Sequence, residues 1–368
     1  MTQSTPTRPS TPHARSRSVL VVGAGMAGMA IAVLLTRGGH RVTLVDAADS
    51  PAQGGYQITL GKKAVAIMQR LGARQVWEDV SSPCAPVTFR VTGRTVARVP
   101  AGVVRLAQRS EVLSGMADVI QREVEIDYGR ELTALTQQRE TTTAHFADGA
   151  SEDYDLVIGA DGLHSTVRQL MVDATDQPLH RNDRVHVWVD TPGRYQDGEA
   201  AELLFGWGAH ANVLPYAYQD ATLTVTAVDT RGQRRDKAEL LATSANLLHR
   251  SGPALRGLAE QVGAAELDTV HVTPFSQVRA STWHARNVVL LGDAAHCMDP
   301  LSGSGGQAAL VGAQILAEEI ARHPRDLARA AGRYTQRARR SVRAGQLLTS
   351  AYARTSTLGG AAGLSRRG

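Results

Sequence analysis

The chain has 368 residues, 43% of them hydrophobic and 20% charged, enough to bury a full core and to suggest two domains. No apolar run is long enough to span a bilayer, so no transmembrane segment is expected. The formal net charge is +5 with almost all of the basic residues arginine, and Cys84 and Cys297 stand far apart with no CxxC spacing. That excludes a disulfide framework or a thiolate metal site as the organising device and fits a reducing cytoplasm.

The first 17 residues, MTQSTPTRPSTPHARSR, carry neither an acid nor an apolar stretch and read as a disordered leader, not a secretory signal. A wholly apolar strand over 19–22 follows, as a strand covered on both faces requires. Gly23, Ala24, Gly25, Met26, Ala27 and Gly28 then form GxGxxG at the opening of a helix. The first glycine permits the tight turn, the second lets backbone N–H groups approach a pyrophosphate, and the third lets the helix lie close on the strand. A phosphate there would meet the unpaired N–H groups and positive end of the helix. The next strand, over 41–45, ends in Asp46, at about the spacing where an acid meets a ribose hydroxyl. The alternative is a βαβ unit whose glycine turn is purely steric.

A loop with Gly54 and Gly55, a short strand and a helix to about residue 71 come next. No second GxGxxG occurs, so a nicotinamide cofactor would have no dinucleotide domain of its own. Residues 87–99 read as a β-hairpin, and 105–121 as a helix with Ser110 as its N-cap. Arg109 stands either to reach a ligand at the sheet edge or simply at the surface. Strands are expected over 125–128, 132–137 and 141–146, closing at a turn of Asp148 and Gly149.

The stretch DLVIGADGLHSTVR, 155–168, runs a buried strand over 156–158 into Asp161 and Gly162, with a helix from about Ser165. Small residues at the carboxyl end of a parallel strand mark ligand sites, although Asp161 could instead cap the helix. From about 172 to 273 the pattern becomes that of a separate sheet-rich layer, with strands at 185–189, 202–207, 210–214 and 221–228 and helices at 238–248 and 254–262. It carries no motif that points to chemistry.

Strand 288–291 ends in Gly292 and Asp293, and the loop through Pro300, Gly303, Ser304, Gly305 and Gly306 opens an amphipathic helix. Such a loop presents N–H groups to an anion or an electron-rich ring edge, and Asp293 suits a sugar or polyol hydroxyl. His296 lies near Ser302 and Ser304, but there is no GxSxG elbow for a nucleophilic triad and no HExxH. From Arg322 to Arg343 arginine recurs with Asp326 the only acid. This reads as a solvated helix face, because Tyr334 is the one aromatic residue among the arginines where base stacking would want several; a nucleic-acid or anionic-membrane patch is the alternative.

Together GAGMAG at 23–28, Asp161-Gly162 within GADGLHSTVR and Gly292-Asp293 within GDAAHCMDP resemble the three fingerprints of the class A, para-hydroxybenzoate hydroxylase-like FAD-dependent monooxygenases, in that family's order and approximate spacing. The resemblance implies an α/β fold: a Rossmann-like FAD-binding domain with a βαβ unit of the glutathione reductase type, an interleaved antiparallel-sheet substrate domain, and a C-terminal helix. The corresponding division is 18–75, 102–172 and 271–322 for FAD, 76–101 and 173–270 for substrate, and 323–368 for the basic helix and tail.

It further implies that the 23–28 turn holds the FAD pyrophosphate, that Asp46, where Glu is common, binds the adenosine ribose, and that Arg109 reaches the flavin's phosphate or ribityl chain. Asp161 would support FAD and the approach of the reductant, Asp293 would bond the ribityl chain, and Pro300 with 303–306 would line the isoalloxazine. Ala47 in place of a common Arg leaves NADPH or NADH open, and SGSGGQAAL in place of GQGxN leaves the loop contacts open. The implied reaction is hydroxylation or epoxidation of a small aromatic or polyketide-like molecule by NAD(P)H and molecular oxygen through a flavin C4a-hydroperoxide, in natural-product tailoring or antibiotic modification. No metal is implied, and the protein would be a cytoplasmic monomer or homodimer. A dehydrogenase, a halogenase-like enzyme or a redox-neutral cyclase on the same scaffold, and a non-catalytic ligand-binding protein, are the alternatives. With aromatic residues only 4% of the chain, a substrate pocket lined by aliphatic and methionine side chains is expected.

Overall fold

A computed structural model describes residues 16–84, 86–91, 94–171, 179–193, 201–206, 209–216, 220–230, 232–251 and 253–363. Two sheets organise the chain. The first has six strands in the order His284–Ala285, Val288–Leu290, Leu156–Gly159, Ser18–Val22, Arg41–Asp46 and Ile126–Tyr128, parallel except for the edge pair 284–285 with 288–290. Its centre is Ser18–Val22, whose Val19, Leu20 and Val21 are buried, with helix Met26–Arg37 and strand Ser151–Tyr154 of a three-stranded antiparallel sheet packed against it. Backbone pairing runs past the strand ends: Gly23 N donates to Val45 O, Ala160 N to Val22 O and Leu291 N to Gly159 O. The glycine loops are thereby fixed side by side along the carboxyl edge.

Helix Met26–Arg37 lies against this sheet so closely that a Cβ at Gly28 would fall 1.8 Å from Gly23 O. Gly23 itself has φ +102°, and a side chain there would strike Ala160 O at 2.6 Å. Helices Met26–Arg37 and Gly305–Arg322 pack together, so two of the three glycine-bearing segments share one core.

The second sheet has seven strands in the order His271–Val278, Leu179–Pro192, Ala221–Asp229, Ala209–Tyr216, Ala201–Gly206, Val87–Val91 and Arg94–Val99. One face is sealed by helices Lys237–Ser251 and Arg256–Gly263, where Val187, Val189 and Val228 meet Leu240, Leu248, Leu258 and Val262. The opposite face turns to the first sheet. Helix Leu327–Gly363 closes the molecule, with the buried Tyr334 donating to Leu290 O at 3.1 Å.

Several boundaries differ from the sequence reading. Arg105–Gln108 is a strand between Gln57–Ile58 and Ser82–Pro83, and the helix begins at Arg109. Its N-cap is Gln108, not Ser110, and it makes no side-chain capping bond. His271–Val278, placed with the 271–322 FAD segment, pairs instead with Leu179–Pro192 in the second sheet. Residues 76–80, placed in the substrate segment 76–101, belong to helix Arg74–Val80, whose Trp77 is buried in the core of the FAD half. Arg17, placed in the 1–17 leader, is part of the fold: its carbonyl accepts from Arg41 N and its guanidinium donates to Pro324 O at 2.7 Å. Residues 1–15 of the leader, the 172/173 boundary and residues 364–368 lie outside the described residues.

Candidate functional site

The carboxyl edge of the six-stranded sheet opens into one elongated cleft. Its first part is lined by Gly23, Ala24, Gly25, Asp46, Arg109, Asp161 and Gly162, and its second by Gly25, Met26, Ala27, Arg109, Gly162, Asp293, Pro300, Gly303, Gly305 and Gly306. Gly25, Arg109 and Gly162 border both parts and so mark the join. Gly28 and Gly292 lie beneath the surface as packing glycines; a Cβ at Gly292, φ +62°, would meet Ala27 Cβ at 2.9 Å. Ser304 faces a separate cavity with Lys63 and Gln307, and its hydroxyl donates to Ser302 O at 2.8 Å.

Two helix N-termini are left open here. Gly25 caps Met26–Arg37 and Ser304 caps Gly305–Arg322, in neither case with a side-chain hydrogen bond. Their first-turn N–H groups are therefore available to an anion or an electron-rich edge. A Cβ at Gly25, at Gly162 or at Gly305 would meet nothing within 4 Å. The two glycines that pack tightly, Gly23 and Gly28, and the one that leaves open space, Gly25, divide the motif as a bound pyrophosphate requires.

The acids are placed less simply. Asp46 lies at the cleft, but its Oδ2 accepts from Ala24 N at 2.7 Å and its Oδ1 from Ala48 N at 2.9 Å. It braces the glycine turn, and each oxygen retains a lone pair for a ribose hydroxyl. Asp161 acts as a helix cap: Ser165 Oγ donates to Oδ1 at 2.5 Å and Val167 N to Oδ2 at 3.0 Å. Burial raises its pKa, and those hydrogen bonds pull it back. Both Asp161 carboxylate oxygens are thus engaged by the helix they start, while Asp161 and Gly162 line the first part of the cleft.

Asp293 differs from both. It is set into the cleft wall, burial pushes its carboxyl above the usual range, and Arg109 and the Cys297 thiol draw it back. Arg109 has no hydrogen-bond partner among the described residues, so one free cation and one desolvated carboxyl face the same space. Both suit a ligand that brings an anion and several hydroxyls.

Two features escaped the sequence reading. Arg168, buried in the second motif, donates to Ala294 O at 2.9 Å and to Leu163 O at 2.7 Å, tying the Asp161 loop to the Asp293 loop. An arginine closing the second motif was the available signal, but its partner lies 126 residues away. The second feature is aromatic. Tyr56 borders the cleft and stacks on Trp188 with centroids 4.9 Å apart, with His271 at 5.7 Å. Trp188 Nε1 donates to Thr273 Oγ1 at 2.8 Å, and Phe275 lies beyond, 6.3 Å from His186. Three aromatic side chains, Tyr56, Trp188 and Phe275, thus stand where the second sheet meets the cleft, beside the Met26, Ile58 and Met298 that line it.

Residues 16–351 match the family model described as FAD binding domain. The chain belongs to this family, that of the class A FAD-dependent monooxygenases. FAD is therefore its cofactor, and the open helix ends, Gly25, Arg109 and Asp293 fit it. The monooxygenase is 28% identical over 343 residues to the FAD-dependent monooxygenase asL6 of Sarocladium schorii, spanning 83% of this chain and 80% of that one. It is 28% identical over 316 residues to the 3-amino-4-hydroxybenzoate 2-monooxygenase PtnB3 of Streptomyces platensis, spanning 82% and 78%. In fold it is similar to Klebsiella pneumoniae HpxO complexed with FAD and uric acid, at TM-score 0.75 and 22% identity over 92% of each chain. No helix among the described residues is long and apolar enough to cross a membrane.

Proposed function

We propose that the monooxygenase hydroxylates a small aromatic molecule held between the seven-stranded sheet and the cleft, using NAD(P)H and molecular oxygen. The observation that carries this reading is the stack of Tyr56 on Trp188, which puts an aromatic wall beside Met298 and Pro300 at the second part of the cleft. A planar substrate gains offset stacking on such a wall as well as burial. The names of PtnB3, an aminohydroxybenzoate monooxygenase, and of HpxO, solved with uric acid, support a planar ring substrate.

In the overall reaction a substrate C–H becomes C–OH with one atom of O2. The other atom leaves as water, with a hydride from NAD(P)H and a proton from solvent completing the balance. Bound FAD supplies the two-electron path from NAD(P)H to oxygen. The first-turn N–H groups of Gly305–Arg322 stabilise negative charge brought to that end of the cleft, and Arg109 adds a full positive charge at the join. The wall of Tyr56, Trp188 and Phe275 excludes water and orients the ring. Burial raises the Tyr56 hydroxyl well above its ordinary pKa, so it stays protonated and available as a hydrogen-bond donor at neutral pH. His271 is held neutral by burial and by the nearby Lys237 and Arg109 cations, leaving a ring nitrogen as acceptor.

The test is consumption of NADPH and NADH by the purified yellow protein with a panel of hydroxy- and aminohydroxybenzoates, followed by product mass under 18O2. A stimulating compound that gains one labelled oxygen supports the reading. NAD(P)H oxidation indifferent to every aromatic, or a product without label, overturns it.

A further inference from the structure

A second cavity, of about 350 Å3, is divided from the FAD cleft by the loop that opens helix Gly305–Arg322. Gly303, Gly305 and Gly306 line the cleft, whereas Ser304 and Gln307 line this cavity, so the loop itself is the partition. The space exists because two helices meet there through short side chains. Helix Gly305–Arg322 presents Ala308, Val311, Gly312 and Ile315, one face at helical spacing, and helix Leu327–Gly363 presents Ala338, Val342 and Gly345. The helices pack on each other, but Ala308, Gly312, Ala338 and Gly345 are too small to fill the gap between them.

Its polar groups are of little use to water. Lys63 is exposed, and the Ser304 hydroxyl is spent on Ser302 O. Gln307 Oε1 lies against Gly61. The remaining wall of Met298, Val311, Ile315 and Val342 has nothing to hydrogen-bond, and no acid is among the described residues that line the cavity. Such a wall holds water poorly and suits a small apolar guest.

Met298 joins the two spaces. It is buried, and it lines both this cavity and the second part of the cleft. On the cavity side its sulfur meets helix Leu327–Gly363 at Gly345, where an added Cβ would come within 2.9 Å of Sδ. A thioether on an unbranched chain changes rotamer readily, so beside the loop the wall is one flexible side chain thick. With FAD in the cleft and a ring against Tyr56 and Trp188, the direct way in is occupied. Oxygen must still reach the flavin while water is kept out.

We propose that this cavity is the entry for molecular oxygen, with Met298 as the gate between it and the flavin end of the cleft. Its role there rests on the oxygen-dependent reaction argued above, with the 303–306 loop facing the flavin ring. Oxygen carries no charge and makes no demand for hydrogen bonds, so it partitions into the space between the helices as other apolar solutes do.

The experiment mixes holoenzyme, photoreduced without oxygen, with oxygenated buffer, and the return of the yellow colour gives the rate. Val311 lines no part of the cleft, so Val311→Phe fills the cavity alone and is expected to slow this step about tenfold. Gly345→Ala, whose Cβ presses on Met298 Sδ, should slow it about threefold. Reduction of both variants by dithionite, a charged reagent that an apolar passage excludes, should stay within about twofold of wild type, with the visible spectrum of bound FAD unchanged. Wild-type apoprotein crystals held under xenon should show the gas beside Met298 and Val311, and Val311→Phe crystals should not. Oxygen rates unchanged in both variants, or a wild-type cavity that takes no xenon, overturn the entry route and leave the monooxygenase reading intact. Equal slowing of the dithionite and oxygen steps marks general damage to the flavin site and also rejects the route. Reduced wild-type flavin indifferent to oxygen overturns the monooxygenase reading itself, and the route with it.

Discussion

His186 Nε2 stands 3.1 Å from Asp299 Oδ2, and the two side chains are 1% and 0% exposed. This pair bolts the inner face of the substrate sheet to the residue before Pro300, on the loop that borders the flavin end of the cleft. Removing one member takes away this buried bond and opens a cavity at the loop, at a cost of about 3 kcal/mol. His186→Ala should therefore lower stability by about that amount in urea unfolding of the holoenzyme. It should also raise the fraction of NAD(P)H oxidised to hydrogen peroxide instead of product, because the loop loses its anchor. The Asp299→Ala, His186→Ala double variant should lose less than the sum of the singles.

Gly25 and Gly28 make opposite demands on a side chain. Gly25 has φ −74° and open space where a Cβ would go, whereas a Cβ at Gly28 would lie 1.8 Å from Gly23 O. Gly25→Val should fold with a nearly unchanged apoprotein Tm and bind FAD about a hundredfold more weakly, roughly 2.7 kcal/mol. Gly28→Val should fail to give soluble folded protein. Circular dichroism and the ratio of flavin to protein absorbance separate the two outcomes.

Asp293 carries a carboxyl that burial makes costly to ionise. Asn in its place removes that cost and also removes the strongest acceptor for a ribityl hydroxyl. Asp293→Asn is expected to raise the apoprotein Tm while weakening FAD about tenfold, roughly 1.4 kcal/mol. Parallel melts and flavin fluorescence titrations check the two signs.

His296 is buried with its pKa lowered from 6.5 to about 4. The unfolded chain then takes up a proton between those values that the folded chain refuses. The stabilisation is complete above pH 6.5 and is lost as pH falls through 4, with a full size of about 3 kcal/mol. Wild type should lose about 2 kcal/mol more than His296→Phe between pH 7 and pH 5, the phenyl ring retaining the stack on Trp283. Equal losses in urea unfolding would remove His296 as the source.

The nucleotide half was legible because its signals are local. An apolar strand, three glycines and an acid fall within 28 consecutive residues of the sequence, and the two later motifs repeat the pattern of strand running into glycine. What the sequence could not convey was the use of individual carboxylates: spacing put Asp46 and Asp161 at the cleft, but which N–H groups occupy their oxygens depends on loop geometry. Arg105–Gln108 was misread because helical periodicity continues upstream of the true start, where pairing with Ile58 and Ser82 overrides it. His271–Val278 has no clean alternation, four successive residues being buried, and nothing local says which sheet receives it. Arg168 with Ala294 and His186 with Asp299 join residues more than a hundred positions apart, a distance at which one sequence carries no pairing information.

Tyr334 and Gln346 buttress Leu290, Val278 and Cys297 from behind, and both are translated after every residue of the groove they support. On the ribosome the nucleotide cradle consequently remains unfinished until the last helix emerges. A chain that stops upstream of Tyr334 is therefore expected to be purified without flavin colour.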